Sequence, residues 1–266
     1  MSMSKGDLRG SNRRGGFYWV DGRPYISVTT ILSVIDKPAI RFWYGKEVYR
    51  AMVVDPTLSE KEALAAPYLT SKSAMNRGTT IHSIIETYKH TKKYLKNITE
   101  DFKPYAQAFY TWVEDNDVEI VGNEKTVISK KYGFAGTLDL LIKFKKKGRL
   151  LIADVKTGKD IYDEAFLQLS AYKHGLLETE EIDAGIGVIL LSTGTDGKST
   201  GKYKFQEGED CFDEFLAARK LWIWKNQGLI ASIKKHLALK KKVAPKPGIK
   251  IESSEQEQVE IAEGGD

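Results

Sequence analysis

Two apolar segments joined by a basic turn, residues 133–156, constrain this chain more than any other feature. Asp139 interrupts the apolar run 138–142, and Asp154 directly follows the run 150–153. Short apolar runs on either side of a turn rich in Lys and Gly are typical of the two strands of a β-hairpin. Acidic side chains are rarely buried in such strands unless they are paired or bind a cation. The segment therefore predicts a hairpin that carries a functional site.

The position of the turn determines which residues face each other across this hairpin. If the chain turns in the middle of residues 145–148, Asp139 lies opposite Asp154, with Cβ atoms roughly 5 Å apart. Lys156 shares a strand face with Asp154 because side chains alternate along a strand. Two carboxylates and an ammonium group then meet at one point. A small cluster of hard oxygen ligands suits Mg²⁺ or Mn²⁺.

The Asp-x-Lys triplet alone is a weak signal, because the chain contains it three times and about one occurrence is expected by chance at average composition. Residues 101–103 lie in a polar stretch before a helical pattern, and residues 196–198 lie in a turn rich in Gly, Ser and Thr. Both are interpreted as surface charges. Only Asp154-Val-Lys156 ends an apolar run, where an unpaired charge is costly.

Other motifs accompany the hairpin in a fixed order. Gln168 and Tyr172 are one helical turn apart, in a segment with acids at its start and a glycine at its end, which predicts a helix. His82 and Glu86 are also four residues apart, so they lie on one helical face. The complete set comprises Ser27-Val-Thr-Thr-Ile31, Arg77-Gly78-x-x-Ile-His82-x-x-x-Glu86, Gly136-Thr-x-Asp139, Asp154-x-Lys156-Thr-Gly158 and Gln168-x-x-x-Tyr172.

Together these motifs resemble the RecB-like branch of the PD-(D/E)xK nuclease superfamily, over roughly residues 17–228. The Asp, Asp-x-Lys and Gln motifs are specific in combination, whereas the His element and the opening at Ser27 are weaker singly. The segment Ser27–Ile31 resembles the same segment of phage-encoded members. The chain is also similar to mitochondrial genome maintenance exonucleases. The resemblance implies a metal-dependent nuclease with an α/β fold.

The resemblance also implies a role for each matching residue. Asp139, Asp154 and the backbone carbonyl of Val155 would hold Mg²⁺ or Mn²⁺, with His82 as a further ligand. Lys156 would orient or help to deprotonate the attacking water and stabilise developing negative charge. Gln168 would lie beside the scissile phosphate or the catalytic lysine. DNA contacts would come from Tyr172, Thr157, Arg77 and Lys159.

Several of these residues have a simpler interpretation as well. His82 is either a metal ligand or a capped or core histidine of its helix, and with Glu86 it forms either part of a shared metal shell or a His–Glu pair. Glu124, on a predicted strand before the hairpin, is either an outer-shell acid or an exposed side chain. Tyr172 is either a DNA contact or a half-buried residue of an amphipathic helix.

The order of the predicted elements favours one catalytic domain. It predicts a restriction-endonuclease-like mixed β-sheet flanked by helices, with an N-terminal helical cap. The predicted core elements are a helix at 105–114, a strand at 118–129, the hairpin, the Gln168 helix, a strand at 185–191 and a long helix at 210–237. The predicted segments are a disordered N-terminus at 1–16, a hairpin and helical cap at 17–100, the nuclease core at 101–237 and a disordered tail at 238–266.

The N-terminal third carries two further signals. Residues 17–26 predict a hairpin with an Asp-Gly turn, followed by helical stretches at 31–35, 39–53 and 79–92. In residues 41–50 aromatic and basic side chains alternate. Such a stripe is either a platform on which single-stranded DNA stacks or a core face beside a solvated face.

Charge adds an argument about partners. The formal net charge is +5, and residues 251–266 hold six acids and no base, so residues 1–250 carry +11. A basic folded part suits contact with the phosphates of DNA. The acidic end is interpreted as a segment that competes with DNA for the basic surface, as a solubilising tail, or as a tail that docks a replication or recombination protein.

Cys211 is the single cysteine of the chain, so the chain's own thiols cannot build an iron–sulfur cluster. No apolar run is long enough to span a membrane, and residues 1–16 lack the hydrophobic region of a secretory signal. A location in the cytoplasm is therefore expected, in the host's cytoplasm if the protein is phage-encoded.

The sequence thus predicts a divalent-metal-dependent DNA exonuclease of phage replication, recombination or repair. A structure-selective endonuclease would use the same motifs, and a non-catalytic DNA-binding module could keep the same fold. No residue of the sequence excludes RNA as the substrate.

Overall fold

The computed structural model describes residues 12–95, 97–193 and 201–243, which form eight strands and seven α-helices. A short 3-10 turn, Leu32–Val34, follows the first helix. The strands are β1 Asn12–Arg14, β2 Phe17–Val20, β3 Arg23–Ser27, β4 Val118–Ser129, β5 Phe134–Phe144, β6 Leu150–Lys156, β7 Gly185–Thr193 and β8 Gly201–Gly208. The helices are α1 Val28–Ile31, α2 Pro38–Val54, α3 Glu60–Thr91, α4 Lys103–Asp115, α5 Asp163–Glu180, α6 Phe212–Lys225 and α7 Gln227–Val243.

All eight strands belong to one mixed sheet. The order is β1-β2-β3-β5-β6-β7-β8, and β4 pairs with β5. The pairs β3–β5 and β6–β7 are parallel, and the other pairs are antiparallel. The predicted mixed sheet flanked by helices is therefore confirmed.

The hairpin β5–β6 has the register that its turn predicts. Leu140 pairs with Ala153 and Lys143 pairs with Leu150, so the position after Ala153 lies opposite Asp139. The basic turn closes with Gly148 at a φ of +63°, a conformation that glycine adopts without the steric cost of a Cβ atom. The local pattern of apolar runs and turn residues thus fixes the position of both aspartates.

One edge of β5 pairs with β3 at the start of the strand and with β6 further along. Its first residues, Phe134 and Ala135, pair with Ile26 and Ser27 of β3, whereas residues 140–143 pair with β6. The stretch 136–139 lies between these two pairings. The sheet therefore forks at the stretch that ends in Asp139.

Helices α3 and α4 cover the sheet next to this fork through a shared apolar core. The core includes Ile81, Ile85, Phe109 and Trp112 of the helices together with apolar residues of β4 to β7. Helix α5 packs against β4, β5, β6 and β7. The helices that carry His82 and Gln168 are thus held against the strands that carry the two aspartates.

The N-terminal part differs from the predicted cap. The hairpin β2–β3 turns at Asp21 and Gly22, both with positive φ, as an Asp-Gly turn requires. However, β3 pairs with β5, so this hairpin extends the central sheet. The sequence predicts residues 1–16 to be disordered. Residues 12–14 of this segment nevertheless form β1, whose backbone pairs with β2.

Helix α2 and the first half of α3 form a helical arm, residues 38–75. Helix α2, which is described over its whole length, buries none of its side chains. Phe42 is 76% exposed and Leu69 is 68% exposed. The aromatic stripe 41–50 is therefore not part of a core, and its contact with DNA stays a prediction.

The chain divides into two compact units, residues 1–222 and 223–266. In the second unit the helix predicted to continue to residue 237 is interrupted at Asn226, and α7 then continues to Val243. Helix α7 thus includes the first residues of the predicted tail, and the predicted bounds of the segments stay predictions. Its remaining residues, 244–266, and the triplet at 196–198 lie outside the described residues.

Candidate active site

Three acids lie in a row across three adjacent strands. Glu124 of β4 stands between Asn123 and Lys125, which pair with Leu140 and Leu138, so Glu124 lies opposite Asp139. On the other side of β5, the hairpin register places Asp154 opposite Asp139. The three acids are fifteen residues apart along the chain. Strand pairing thus gathers carboxylates that are distant in sequence.

Asp139 is the centre of this row and has little contact with solvent. Its side chain is 15% exposed, and its Oδ2 atom accepts a hydrogen bond of 2.9 Å from the backbone N–H of Val155. Burial and, after it, the nearby carboxylate of Asp154 raise the pKa of Asp139 to about 7, against the lowering effects of His82, Lys156 and the Val155 N–H. Without a cation, the site therefore disfavours the ionised form of Asp139.

Asp154, which is buried, forms an ion pair beside Asp139 with Lys156, whose side chain is 42% exposed. The side chain of Asp154 is 2% exposed, and Lys156 Nζ lies 2.8 Å from its oxygens. The Oδ2 atom is buried without a well-aligned hydrogen bond. Burial lowers the pKa of Lys156, but the carboxylates of Asp154 and Asp139 outweigh this effect, so the net shift is upward. Lys156 is therefore a cation in this arrangement.

His82 reaches this cluster from helix α3. Its Nδ1 atom lies 3.0 Å from Glu124 Oε1, and its Nε2 atom lies 3.7 Å from Asp139 Oδ2. The hydrogen bond with Glu124, together with smaller contributions from Asp139 and the backbone of Val155, raises the pKa of His82 to about 9 against the lowering effect of burial. Since the Val155 N–H already donates to Asp139, the backbone acceptor for His82 is the Val155 carbonyl. His82 is thus not an isolated core histidine.

The donor atoms fit a divalent cation. Ligand atoms of His82, Glu124 and Asp139 all lie within 4.8 Å of one another. The Val155 carbonyl contacts His82, and the buried Asp154 Oδ2 has unused capacity to accept. Carboxylate and carbonyl oxygens with one imidazole suit Mn²⁺ or Mg²⁺. A cation here would offset the repulsion between the two aspartates.

Gln168 and Tyr172 approach the aspartates from helix α5. Gln168 Nε2 donates a hydrogen bond of 3.0 Å to the hydroxyl of Tyr172. The ring of Tyr172 is 4% exposed. Burial raises the pKa of Tyr172 well above its usual value, and Asp139 and Asp154 contribute to the rise. Tyr172 is therefore a buried neighbour of the carboxylates rather than a surface residue, and its predicted DNA contact stays untested.

A glycine of the first motif makes room for this tyrosine. A Cβ atom on Gly136 would lie 2.2 Å from Cε1 of Tyr172, far inside van der Waals contact. Any larger residue at this position would push the ring away from the aspartates. The Gly-Thr-x-Asp spacing thus has a packing reason, which sequence reasoning did not supply.

Three of the four predicted DNA contacts lie in or beside the loop after β6. Arg77 Nη2 donates a hydrogen bond of 3.2 Å to the carbonyl of Thr157, and the Arg77 guanidinium lies over the ring of Tyr105. Lys159 is exposed. Arg77 thus holds the loop that follows Lys156, while the predicted contacts of all three residues with DNA stay predictions.

The two predicted outer-shell acids have different positions. Glu124 contacts His82 directly, whereas Glu86 is exposed, one helical turn from His82, and does not join the group of possible ligands within the described part of the chain. In the sequence-based prediction the two are not ranked, because the strand at residues 118–129 is not paired with the hairpin there. A turn at residues 130–133, which brings residue 124 opposite residue 139, is the signal that could have identified Glu124.

Comparisons with known proteins give weak similarities. No protein-family model matches the chain, and no curated protein matches it. A solved putative exonuclease from Eubacterium rectale matches with 13% identity and a TM-score of 0.41, over 85% of this chain and 91% of that one. An alkaline exonuclease from Laribacter hongkongensis matches with 12% identity and a TM-score of 0.40, over 83% and 93%. Its complex with dAMP matches with 13% identity and a TM-score of 0.38, over the same shares.

One further observation concerns membranes. Within residues 12–95, 97–193 and 201–243, no helix combines the length and the apolar character that crossing a bilayer requires.

Proposed function

We propose that this protein is a divalent-metal-dependent nuclease that hydrolyses phosphodiester bonds of DNA, acting from DNA ends. The observation that carries the proposal is the buried pair of aspartates with a lysine at their side. Asp139 and Asp154 face each other across β5 and β6, and Lys156 lies 2.8 Å from Asp154. Two carboxylates buried side by side, of which Asp154 raises the pKa of Asp139, are costly to the fold. A cation that they hold for chemistry explains why the chain keeps both.

The residues divide the chemistry of hydrolysis among them. Asp139, Asp154, the Val155 carbonyl and His82 would hold the cation, which when bound polarises the phosphate and lowers the pKa of water. Lys156 is protonated, so its role is to orient the attacking water and to stabilise negative charge on the phosphate. A deprotonated lysine acting as general base does not suit an ammonium whose pKa is raised.

Gln168 supplies a polar group next to Tyr172, the buried neighbour of the aspartates. Its amide donates to the buried hydroxyl of Tyr172, which fixes the orientation of the side chain. The amide oxygen of Gln168 then remains free to accept a hydrogen bond from the water or from Lys156. Gln168 is thus a positioning residue, consistent with its place in the motif that resembles RecB-like nucleases.

DNA as the substrate is supported by charge. Residues 1–250 carry a formal net charge of +11, and Lys159 is exposed on the loop that Arg77 holds. Positive charge beside a metal site attracts phosphates and releases counterions. The resemblance to phage-type RecB-like members supports a role in DNA replication, recombination or repair. The exonuclease names of the solved structures agree with this proposal but do not carry it.

Digestion of defined nucleic acids tests the proposal. End-labelled linear and circular DNA, single- and double-stranded, and linear RNA are incubated with the protein and Mg²⁺, Mn²⁺ or a chelator. We expect linear DNA to be degraded with either metal, circular DNA to survive, and the chelator to stop the reaction. Cleavage of circular DNA would identify an endonuclease instead. Binding of DNA without any cleavage would reject the enzymatic proposal.

A further inference from the structure

The backbone of Glu124 has a conformation that is unusual for its place in the chain. Its φ is +46°, in the left-handed region that a side chain with a Cβ atom disfavours. Glu124 is the only non-glycine residue within 12–95, 97–193 and 201–243 that has a positive φ inside a strand. The others lie in turns or at helix ends, where this conformation is common: Asp21, Lys92, Asp117 and Glu181.

The unusual backbone coincides with a specific contact. Glu124 Oε1 lies 3.0 Å from Nδ1 of His82, and the Glu124 side chain is 48% exposed. Asp139 approaches the other ring nitrogen, Nε2, at 3.7 Å. The two nitrogens of an imidazole ring point in different directions, so one ring cannot offer both to the same ion. Glu124 and Asp139 therefore contact His82 in different roles.

We infer that Glu124 is a positioning residue that acts through His82. By accepting a hydrogen bond from Nδ1–H, Glu124 sets the orientation of the ring and leaves Nε2 to bind a divalent cation beside Asp139. A carboxylate on the far nitrogen of a metal-binding histidine is a common means of orienting the ligand and raising its basicity. The left-handed backbone at Glu124 is the local distortion of β4 that directs the carboxylate toward helix α3. This inference rests on the proposed metal-dependent function.

A double-mutant cycle on metal binding tests the inference without any substrate. Binding of Mn²⁺ to the full chain is measured by calorimetry or electron paramagnetic resonance for the wild type, Glu124→Ala, His82→Ala and the double variant. We expect Glu124→Ala to weaken Mn²⁺ binding about 10- to 100-fold. In the His82→Ala background the same substitution should have no further effect, because Glu124 acts only through His82.

Three results would contradict the inference. If the losses of Mn²⁺ affinity in the two single variants add up in the double variant, Glu124 binds the metal independently of His82. A Glu124→Gln variant that loses as much affinity as Glu124→Ala would lead to the same conclusion, since the glutamine oxygen can still accept from Nδ1–H. Unchanged Mn²⁺ affinity in Glu124→Ala would remove the role altogether. The matched control is Glu119→Gln, an exposed carboxylate on the same strand, which should bind Mn²⁺ like the wild type.

Thermal unfolding tests separately whether the backbone at Glu124 is held in an unfavourable conformation. Glycine adopts a positive φ without the cost that a Cβ atom imposes, so metal-free Glu124→Gly should melt at a higher temperature than metal-free Glu124→Ala. Both variants should lose the same Mn²⁺ affinity. A melting temperature of Glu124→Ala at or above that of Glu124→Gly would overturn the claim that β4 is held in an unfavourable conformation. Failure of the wild type to bind Mn²⁺ would instead reject the metal dependence in the proposed function.

Discussion

The hairpin β5–β6 and the helical arm, residues 38–75, differ in the kind of side chain that they bury and expose. The hairpin buries charge: the side chain of Asp154 is 2% exposed and lies among apolar residues such as Leu151 and Ile152. The arm exposes apolar surface, with Phe42 and Leu69 largely in contact with solvent. Buried charge is costly without a ligand or partner, whereas exposed apolar side chains lower stability little. The comparison shows that the hairpin carries a burial cost that a bound cation would offset, and that its packing is far less tolerant of change.

The largest expected difference concerns loss of apolar volume. Leu151 of the hairpin is fully buried and Leu69 of the arm is 68% exposed. Leu151→Ala should lower the free energy of unfolding by about 2–5 kcal/mol, because it leaves a cavity. Leu69→Ala should change it by less than about 0.5 kcal/mol. Urea denaturation of both variants measures the difference, and similar losses would contradict the contrast between the two regions.

A second difference concerns the same substitution at two glycines, Gly136 and Gly45. Gly136→Ala should lower the free energy of unfolding by about 1–3 kcal/mol, since its Cβ atom would clash with the ring of Tyr172. Gly45 lies inside α2 with open space around it, so Gly45→Ala should raise stability by about 1 kcal/mol through helix propensity.

Thermal unfolding of both glycine variants checks these signs. Cleavage of DNA should fall in Gly136→Ala, because Tyr172 and Gln168 are displaced, and should persist in Gly45→Ala. A stable Gly136→Ala variant with wild-type cleavage would show that the contact of Tyr172 with the hairpin has no functional role.

The smallest expected effect is on the pH dependence of the metal-free protein. His82 has a pKa of about 9 in the fold, above its ordinary 6.5, and Asp139 has a pKa of about 7, above its ordinary 3.8. Both groups bind a proton more tightly in the folded state, so the stability that they contribute is lost as pH rises through these values. The melting temperature without metal should therefore fall between pH 6.5 and pH 9.

The Asp139→Asn variant separates this effect from other titrations. It removes one source of the raised pKa of His82, so its melting temperature should fall less between pH 6.5 and pH 9. An equal fall in wild type and variant would mean that other groups dominate. Added Mn²⁺ should reduce the fall in the wild type, because metal binding requires the deprotonated ligands.

Local pattern was sufficient to predict the hairpin and several elements around it. The turn residues and alternation fixed the register of Asp139 and Asp154, and the strand at residues 118–129 has the predicted bounds. The predicted helix containing Gln168 and Tyr172 is also present, as α5. Each of these elements depends on residues that are close in sequence, so the pattern within one segment is enough to predict it.

Features that depend on distant partners were not predictable in the same way. The pairing of β3 with β5 joins the N-terminal hairpin to the sheet, and a single sequence contains no sign of that partner. Strand β8 is not among the elements predicted from the sequence, although Tyr203 and Phe205 alternate with polar residues, because the Gly, Ser and Thr residues just before it favour a turn. The approach of His82 to Glu124 across a helix and a strand is likewise set only by tertiary packing.

Asp154 is proposed to be catalytic because of where it lies, not because it belongs to an Asp-x-Lys triplet. Asp101 belongs to the same kind of triplet but is exposed at the start of α4. The most direct measurement is the Mg²⁺-dependent cleavage of end-labelled linear DNA by Asp154→Asn and by Asp101→Asn, with folding of each checked by circular dichroism. We predict a loss of about 10³-fold or more for Asp154→Asn and wild-type cleavage for Asp101→Asn. Wild-type cleavage by a folded Asp154→Asn variant would contradict the account.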